Sequence, residues 1–500
     1  MDSSASRQAP LEMDADRFRA IGHALVDQIA ASLDAIPRGP VTKDRTPAAV
    51  REALGLNGAL PSEGVDAATL LSSTATQLFE HSLFNAHPRF WGYITSSPAP
   101  IGILGDFLAS ALNPNVGAWT LSPAASEIEA QAVRWIAELV GYPTGCGGIF
   151  VSGGNMANIV CFLAARATRA SWDVRRDGLA SSSRQLLVYA SAETHTWIQK
   201  ATDLAGLGTA SIRWIPTDDR LRMDVTQLER RIDGDIAAGH VPLVVIGTAG
   251  SVSTGAVDPL VEIARVCKER SIWFHVDGAY GAIAAAATDA PDDLRALNLA
   301  DSIAVDPHKW LYAPLEAGCA LVRDAAALRA AFSYHPVYYH FDEQGINYVD
   351  YGPQNSRGFR ALKVWLALKQ VGADGYRTMI ADDMALSRAM AAAVEREPDL
   401  QLVTQALSIA TFRFVPTDLR SRVGETATEE YLNRINEALL DAIQRGGEAF
   451  VSNALVRGRY VLRACIVNFH TTRADVEAVP EIVVRTGREL DARMRASAAV

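Results

Sequence analysis

The sequence has little of what disulfide-held, metal-binding or membrane-spanning chains are built from. Its five cysteines, Cys146, Cys161, Cys267, Cys319 and Cys465, are scattered, odd in number and without a C-x-x-C pair. A disulfide framework or a zinc site is therefore not expected, no metal is assigned, and a reducing compartment fits. No run of about 18 apolar residues occurs, which argues against a spanning helix. The opening stretch from Met1 to Pro10 is polar and carries no signal-type apolar run, so the expected location is cytoplasmic. There is no Lys/Arg stripe, and 47 basic against 57 acidic residues leave a net charge of −10. Nucleic acid, whose backbone needs cations to neutralise it, is not an expected partner. Internal repeats are missing, and so are low-complexity tracts beyond a few Ala-rich segments.

What remains is ample material for a globular enzyme. Of 500 residues, 49% are hydrophobic and 21% charged, a balance that buries a full core and exceeds one core's natural size. Phe18, Ile21, Leu25, Ile29 and Leu33 recur at spacings of three and four, a helical stripe stopped at Pro37-Arg38-Gly39-Pro40. Residues 1–85 read as an amphipathic helical arm without a core of its own. From 86 to 380 short apolar runs alternate with helical stretches: 148–151, 186–189, 212–215, 243–246, 273–276, 302–305 and 319–322. Alternation of this kind predicts a mainly parallel α/β sheet covered on both faces. Residues 381–500, with a long helix and strands at 410–415 and 460–465, read as a smaller α+β domain.

In a parallel sheet, ligands sit beyond the carboxyl ends of the strands, so the residues that follow each run matter most. Gly153-Gly154-Asn155 follows one run and opens a helix. That is the composition of a phosphate cradle, and equally of an ordinary strand-to-helix turn. His195 just past the next run can stack on a planar ring or cap a helix. Thr248 opens a Gly-rich loop with several hydroxyls. Asp277 ends an apolar strand, where a carboxylate needs a cationic partner such as a protonated pyridine nitrogen, or else caps a helix. Lys309, in Asp306-Pro307-His308-Lys309-Trp310, stands at the mouth of a hydrophobic sheet. Desolvation there would free the amine as a Schiff-base nucleophile, with a solvated surface lysine as the bland alternative.

This ordered set resembles the group II pyridoxal-phosphate (PLP) amino-acid decarboxylases, the family of aromatic L-amino acid decarboxylase. The likeness runs from about His87 to at least Gly372 and is most specific at His275–Gly281 and Asp306–Trp310. It implies the type I, aspartate aminotransferase-like PLP fold, with a seven-stranded-type sheet, a small C-terminal domain and a helical arm that embraces a partner in a homodimer. Active sites would lie at the subunit interface. By position, Lys309 matches the cofactor lysine, Asp277 the ring-nitrogen partner, His195 the stacking histidine and Ala279 the small residue beneath the ring. Gly153, Gly154 and Asn155 match the phosphate turn, while Thr248 and His308 line the cofactor. Asp306 stands where the animal enzymes carry asparagine.

The resemblance also implies a catalytic loop within 332–359 whose tyrosine, Tyr338 or its neighbour Tyr339, returns a proton to the substrate carbon. Trp91, Tyr93 and Trp119 match the substrate-pocket segment, and could equally be core residues, the commoner fate of aromatics. Ser356 matches a site where plant members tend to carry Ser for phenolic and Gly for indolic substrates. The implied reaction is decarboxylation of an aromatic L-amino acid, tyrosine- or DOPA-like rather than tryptophan. An aldehyde synthase of the same fold and a decarboxylase of non-aromatic amino acids are the alternatives.

Overall fold

A computed structural model describes residues 9–335 and 345–498. Seven strands form the principal sheet: β1 (Gly147–Val151), β2 (Leu186–Ser191), β3 (Ile212–Ile215), β4 (Val241–Thr248), β5 (Trp273–Asp277), β6 (Ser302–Val305) and β7 (Gly318–Val322). Their order across the sheet is β1-β7-β6-β5-β4-β2-β3. Only β7 runs against its neighbours, pairing antiparallel with both β1 and β6. The other six strands are parallel to one another and deliver their carboxyl ends to one edge. β1, β2, β5, β6 and β7 are buried at every residue, as continuous apolar runs require when helices cover both faces. The expected α/β sheet is therefore present, strand for strand.

A second sheet follows, wholly antiparallel, in the order β10-β11-β9-β8. It comprises β8 (Leu400–Ala406), β9 (Ile409–Phe414), β10 (Ser452–Val456) and β11 (Arg459–Cys465). The sequence pattern revealed only β9 and β11. β8 is half-buried with polar Gln401, Thr404 and Gln405, and β10 has five residues that alternate buried and exposed, too short and too polar to register as apolar runs. Helices Thr426–Gly446 and Val479–Ala498 cover this sheet. The long helix expected after residue 380 begins earlier. It spans Ala361–Glu395, is broken at Gly372 (φ 71°), and packs against both the main-sheet helices and β8–β9. One element thus ties the two sheets together.

At the start of the chain, helices Ala15–Ala35 and Ala67–His81 pack on each other. Each is capped by an aspartate, Asp14 accepting from Arg17 N and Asp66 from Thr69 N, and an Arg17–Asp66 ion pair of 2.6 Å joins them. The first buries no residue and the second only Ala75. Phe18, Val26, Leu70 and Leu78 are left exposed. Among the described residues no helix is long and apolar enough to cross a membrane.

Candidate active site

A cavity of about 740 Å³ opens at the carboxyl edge of the main sheet. Its floor comes from the residues that follow β1, β2, β4, β5 and β6. Its far wall comes from Tyr93, Ile94 and Thr95 and from Ser452, Asn453 and Arg463 of the second sheet.

After β1 the chain turns through Gly153, whose φ of +122° only glycine adopts without strain. Gly154 then opens helix Gly154–Arg169. A Cβ on Gly154 would collide with Asp306 Oδ2 and come within 3.1 Å of Ala279 Cβ, so the turn is closed by packing. The first turn of the helix lines the cavity, and a helix N-terminus, with its unpaired N–H groups, suits an anion.

After β6, Lys309 lies on the one-turn helix Pro307–Trp310. Its Nζ is 2.8 Å from Asp306 Oδ2, whose side chain is almost fully buried. Asp306 Oδ1 is buried without a partner. His308 accepts the Ala317 N–H at Nδ1 (3.1 Å), leaving Nε2 protonated in the neutral ring, 3.7 Å from Asp306. Burial holds the His308 imidazole below the usual histidine range, against the pull of Asp306.

Asp277 ends β5 and reaches the cavity. Its Oδ2 accepts the Trp197 indole N–H at 2.7 Å, and its Oδ1 accepts the Ala279 N–H at 3.2 Å. Thr248 ends β4 with a buried Oγ1 that has no partner. Its N–H is held by Asp258 Oδ2 at 2.8 Å, an aspartate that burial pushes up to about 6. His195 follows β2, and its Nδ1 accepts the Trp197 backbone N–H at 3.2 Å. Partial desolvation lowers the His195 imidazole, with the charge of Asp277 opposing. The helix-capping role left open by the sequence is thus filled, through one ring nitrogen, and the residue still lines the cavity.

Gly153, Gly154, Asn155, His195, Thr248, Asp277, Ala279, His308 and Lys309 are brought together at this one cavity. Of the four residues expected near substrate, only Tyr93 joins them, with an exposed ring. Trp91 does not reach the cavity. It is fully buried in the core of the second sheet, with its indole N–H on Thr471 Oγ1 (3.1 Å), because that core needs a large apolar side chain there. Trp119 lies outside the lining, its indole bound to Glu127 Oε1 at 2.9 Å. Ser356 is exposed and also outside it. Tyr338 and Tyr339 lie outside the described residues.

Sequence reasoning missed Arg463. It is 3% exposed and lines the cavity, with Nη1 donating to Tyr93 O (2.9 Å) and Ser452 Oγ (3.0 Å). Its Nε and Nη2 are buried without partners, an expensive arrangement unless a ligand completes it. The available signal was a lone arginine inside the apolar run of β11.

The pyridoxal-dependent decarboxylase conserved domain matches residues 47–415. Aromatic-L-amino-acid decarboxylase of Bacillus atrophaeus is 32% identical over 471 residues, 93% of this chain and 94% of that protein. Phenylacetaldehyde synthase of a Rosa hybrid cultivar is 29% identical over 474 residues, 92% of each chain. Among solved structures, Oryza sativa TDC with PLP and tryptamine superposes with a TM-score of 0.88 at 28% identity, over 97% of this chain and 100% of that one.

Proposed function

We propose, from the premise that this chain belongs to the pyridoxal-dependent decarboxylase family, that its substrate is an aromatic L-amino acid. Membership makes pyridoxal phosphate its cofactor and decarboxylation of an amino acid its reaction. The residues suit that cofactor: an amine, a strand-end carboxylate and a glycine-rich turn at a helix N-terminus share one cavity, with the unpartnered Thr248 hydroxyl beside them.

Bound there, pyridoxal phosphate supplies an electron sink for the charge left when CO2 departs. In our reading the Gly153–Asn155 turn takes the phosphate, and Lys309 Nζ the covalent attachment. Asp277 keeps the ring nitrogen protonated, His195 covers one ring face, and Ala279 leaves room on the other. Thr248 and His308 complete the lining. Tyr338, or Tyr339 beside it, returns a proton to the substrate α-carbon, with His195 as relay.

The aromatic substrate is supported by the exposed ring of Tyr93 at the wall, a surface on which another ring can stack. The names of the relatives from Bacillus and rose point the same way. Ser356 favours tyrosine or DOPA over tryptophan. It lies outside this chain's cavity, as does Trp119, so in our reading both serve the site of a second subunit. The uncovered apolar faces of the arm support such a homodimer, and residues 1–85, 86–380 and 381–500 would be its arm, large domain and small domain. Release of amine and CO2 across the standard amino acids plus DOPA and 5-hydroxytryptophan tests the substrate. Turnover confined to non-aromatic amino acids would overturn it.

Arg463 favours a second reading. Two unpartnered guanidinium nitrogens in the wall suit an anionic group; if that group is a side-chain carboxylate rather than the α-carboxylate, the substrate is an acidic amino acid. The same screen separates the two. Hydrogen peroxide measured against amine separates a decarboxylase from an aldehyde synthase.

A further inference from the structure

We propose that Trp197 is a positioning residue that registers two cofactor-facing groups against each other: the imidazole of His195 and the carboxylate of Asp277. It rests on the reading that these two residues hold the cofactor ring.

Trp197 begins helix Trp197–Leu204 and is fully buried. Its backbone N–H is one of the first donors of that helix, which have no partner within it. That donor goes to His195 Nδ1 at 3.2 Å. The bond fixes the neutral tautomer with its proton on Nε2, the nitrogen free to meet a ligand. The side chain of the same residue crosses to β5, where the indole N–H donates to Asp277 Oδ2 at 2.7 Å. Its ring also packs edge-on against His275, centroids 5.6 Å apart at 84°.

His275 is itself immobile. Its ring nitrogens are bound to Ser302 Oγ (2.8 Å) and Asn158 Oδ1 (2.7 Å). The indole therefore cannot slide along the strand, and neither can the carboxylate it holds.

Two consequences follow from chemistry. Each Asp277 oxygen already accepts one bond, and the shorter one ties Oδ2 to the indole, so Oδ1 is the less firmly held oxygen for a ring nitrogen to meet. Its remaining contact is the long 3.2 Å bond from Ala279 N. And because both bonds leave one rigid residue, the height of the imidazole and the aim of the carboxylate are set together rather than separately. A charge-assisted N–H···O bond of this length is a strong one. Losing it frees the carboxylate to rotate in a site that works by fixed orientation.

Removing the donor while keeping bulk is the test. Trp197→Phe, and β-(3-benzothienyl)alanine at 197 as an isostere without the N–H, are titrated with pyridoxal phosphate after cofactor removal. The absorbance of the bound cofactor is followed against pH. Both variants keep the backbone bond to His195. The cofactor dissociation constant should rise roughly tenfold or more, and the pH at which its absorbance changes should move. In an Asp277→Ala background, which leaves the indole N–H no acceptor at 277, the same changes at 197 should add almost nothing.

An equal rise in both backgrounds, or no rise in the parent for the isostere, overturns the proposal. If Asp277→Ala alone leaves affinity and spectrum unchanged, Asp277 is not the ring partner, and the reading beneath fails instead. The isostere keeps the test open should Trp197→Phe not fold.

Discussion

Replacing Gly154 by alanine should weaken cofactor binding without unfolding the protein, because the anion turn and the lysine share a wall. The new Cβ would run into Asp306 Oδ2 and lie 3.0 Å from its Cγ and 3.1 Å from Ala279 Cβ. Asp306 is 1% exposed and cannot swing into solvent. It is also the 2.8 Å partner of Lys309 Nζ, so displacing the carboxylate displaces the amine. Overpacking a tight site costs about 1–3 kcal/mol. Where that cost falls on the cofactor-bound state, at about 1.4 kcal/mol per decade the dissociation constant for pyridoxal phosphate should rise by up to roughly 5- to 140-fold. Titration of the cofactor-free protein by absorbance measures this, and a thermal melt of the same sample reports folding. Gly22→Ala is the control: nothing lies within 4 Å of its Cβ, so it should leave affinity alone and add up to about 1 kcal/mol of helix stability. A Gly154→Ala protein that binds cofactor as tightly as the parent would refute the mechanical link between turn, Asp306 and Lys309.

Three further outcomes are expected. Lys309→Ala should lose the near-visible absorbance of the covalently held cofactor and all turnover; a variant that still released CO2 normally would remove Lys309 from its role. Tyr338→Phe should divert product from amine toward aldehyde with hydrogen peroxide, and an unchanged amine yield would shift attention to Tyr339. His275 is fully buried and held down at about 4 by desolvation. The unfolded chain, with histidine near 6.5, therefore binds the proton first as pH falls. Stability should be lost between about pH 6.5 and 4, by up to ~3 kcal/mol from this one group. Urea melts of the parent against His275→Gln check it, and equal slopes in the two proteins would show that His275 is not the source.

The principal sheet was legible because its strands are apolar on both faces, and each run stands out between helical stretches. The same property exposed Asp277 and Lys309: charged residues beside such runs are conspicuous. The second sheet was half legible. β9 carries an unbroken buried pattern from Ile409 to Phe414, whereas β8 and β10 hide behind Gln, Thr, Ser and Asn. Arg463 was overlooked because its significance is a three-dimensional fact. Two missing hydrogen-bond partners leave no trace in the order of residues. Trp91 errs in the opposite direction, since nothing local distinguishes an aromatic that lines a pocket from one that fills a core. Trp197 shows the same limit: its two bonds join residues that the chain separates, and only folding makes it their common neighbour.

The reversed strand β7 has a consequence for how such a protein can change. Five of the six parallel strands, all but β3, hand a loop to the cavity, and loops vary. β7 arrives with its first residue, Gly318, pressed against the backbone of Gly153, and brings only Leu315 and Glu316, from the segment before it, to the lining. The floor where the anion turn meets Asp306 is thus sealed by a seam with nothing free to mutate. Tyr93, Leu315, Asn453 and Arg463 instead come from the rim. New substrates would then be acquired at the rim, while the cofactor seat is inherited intact.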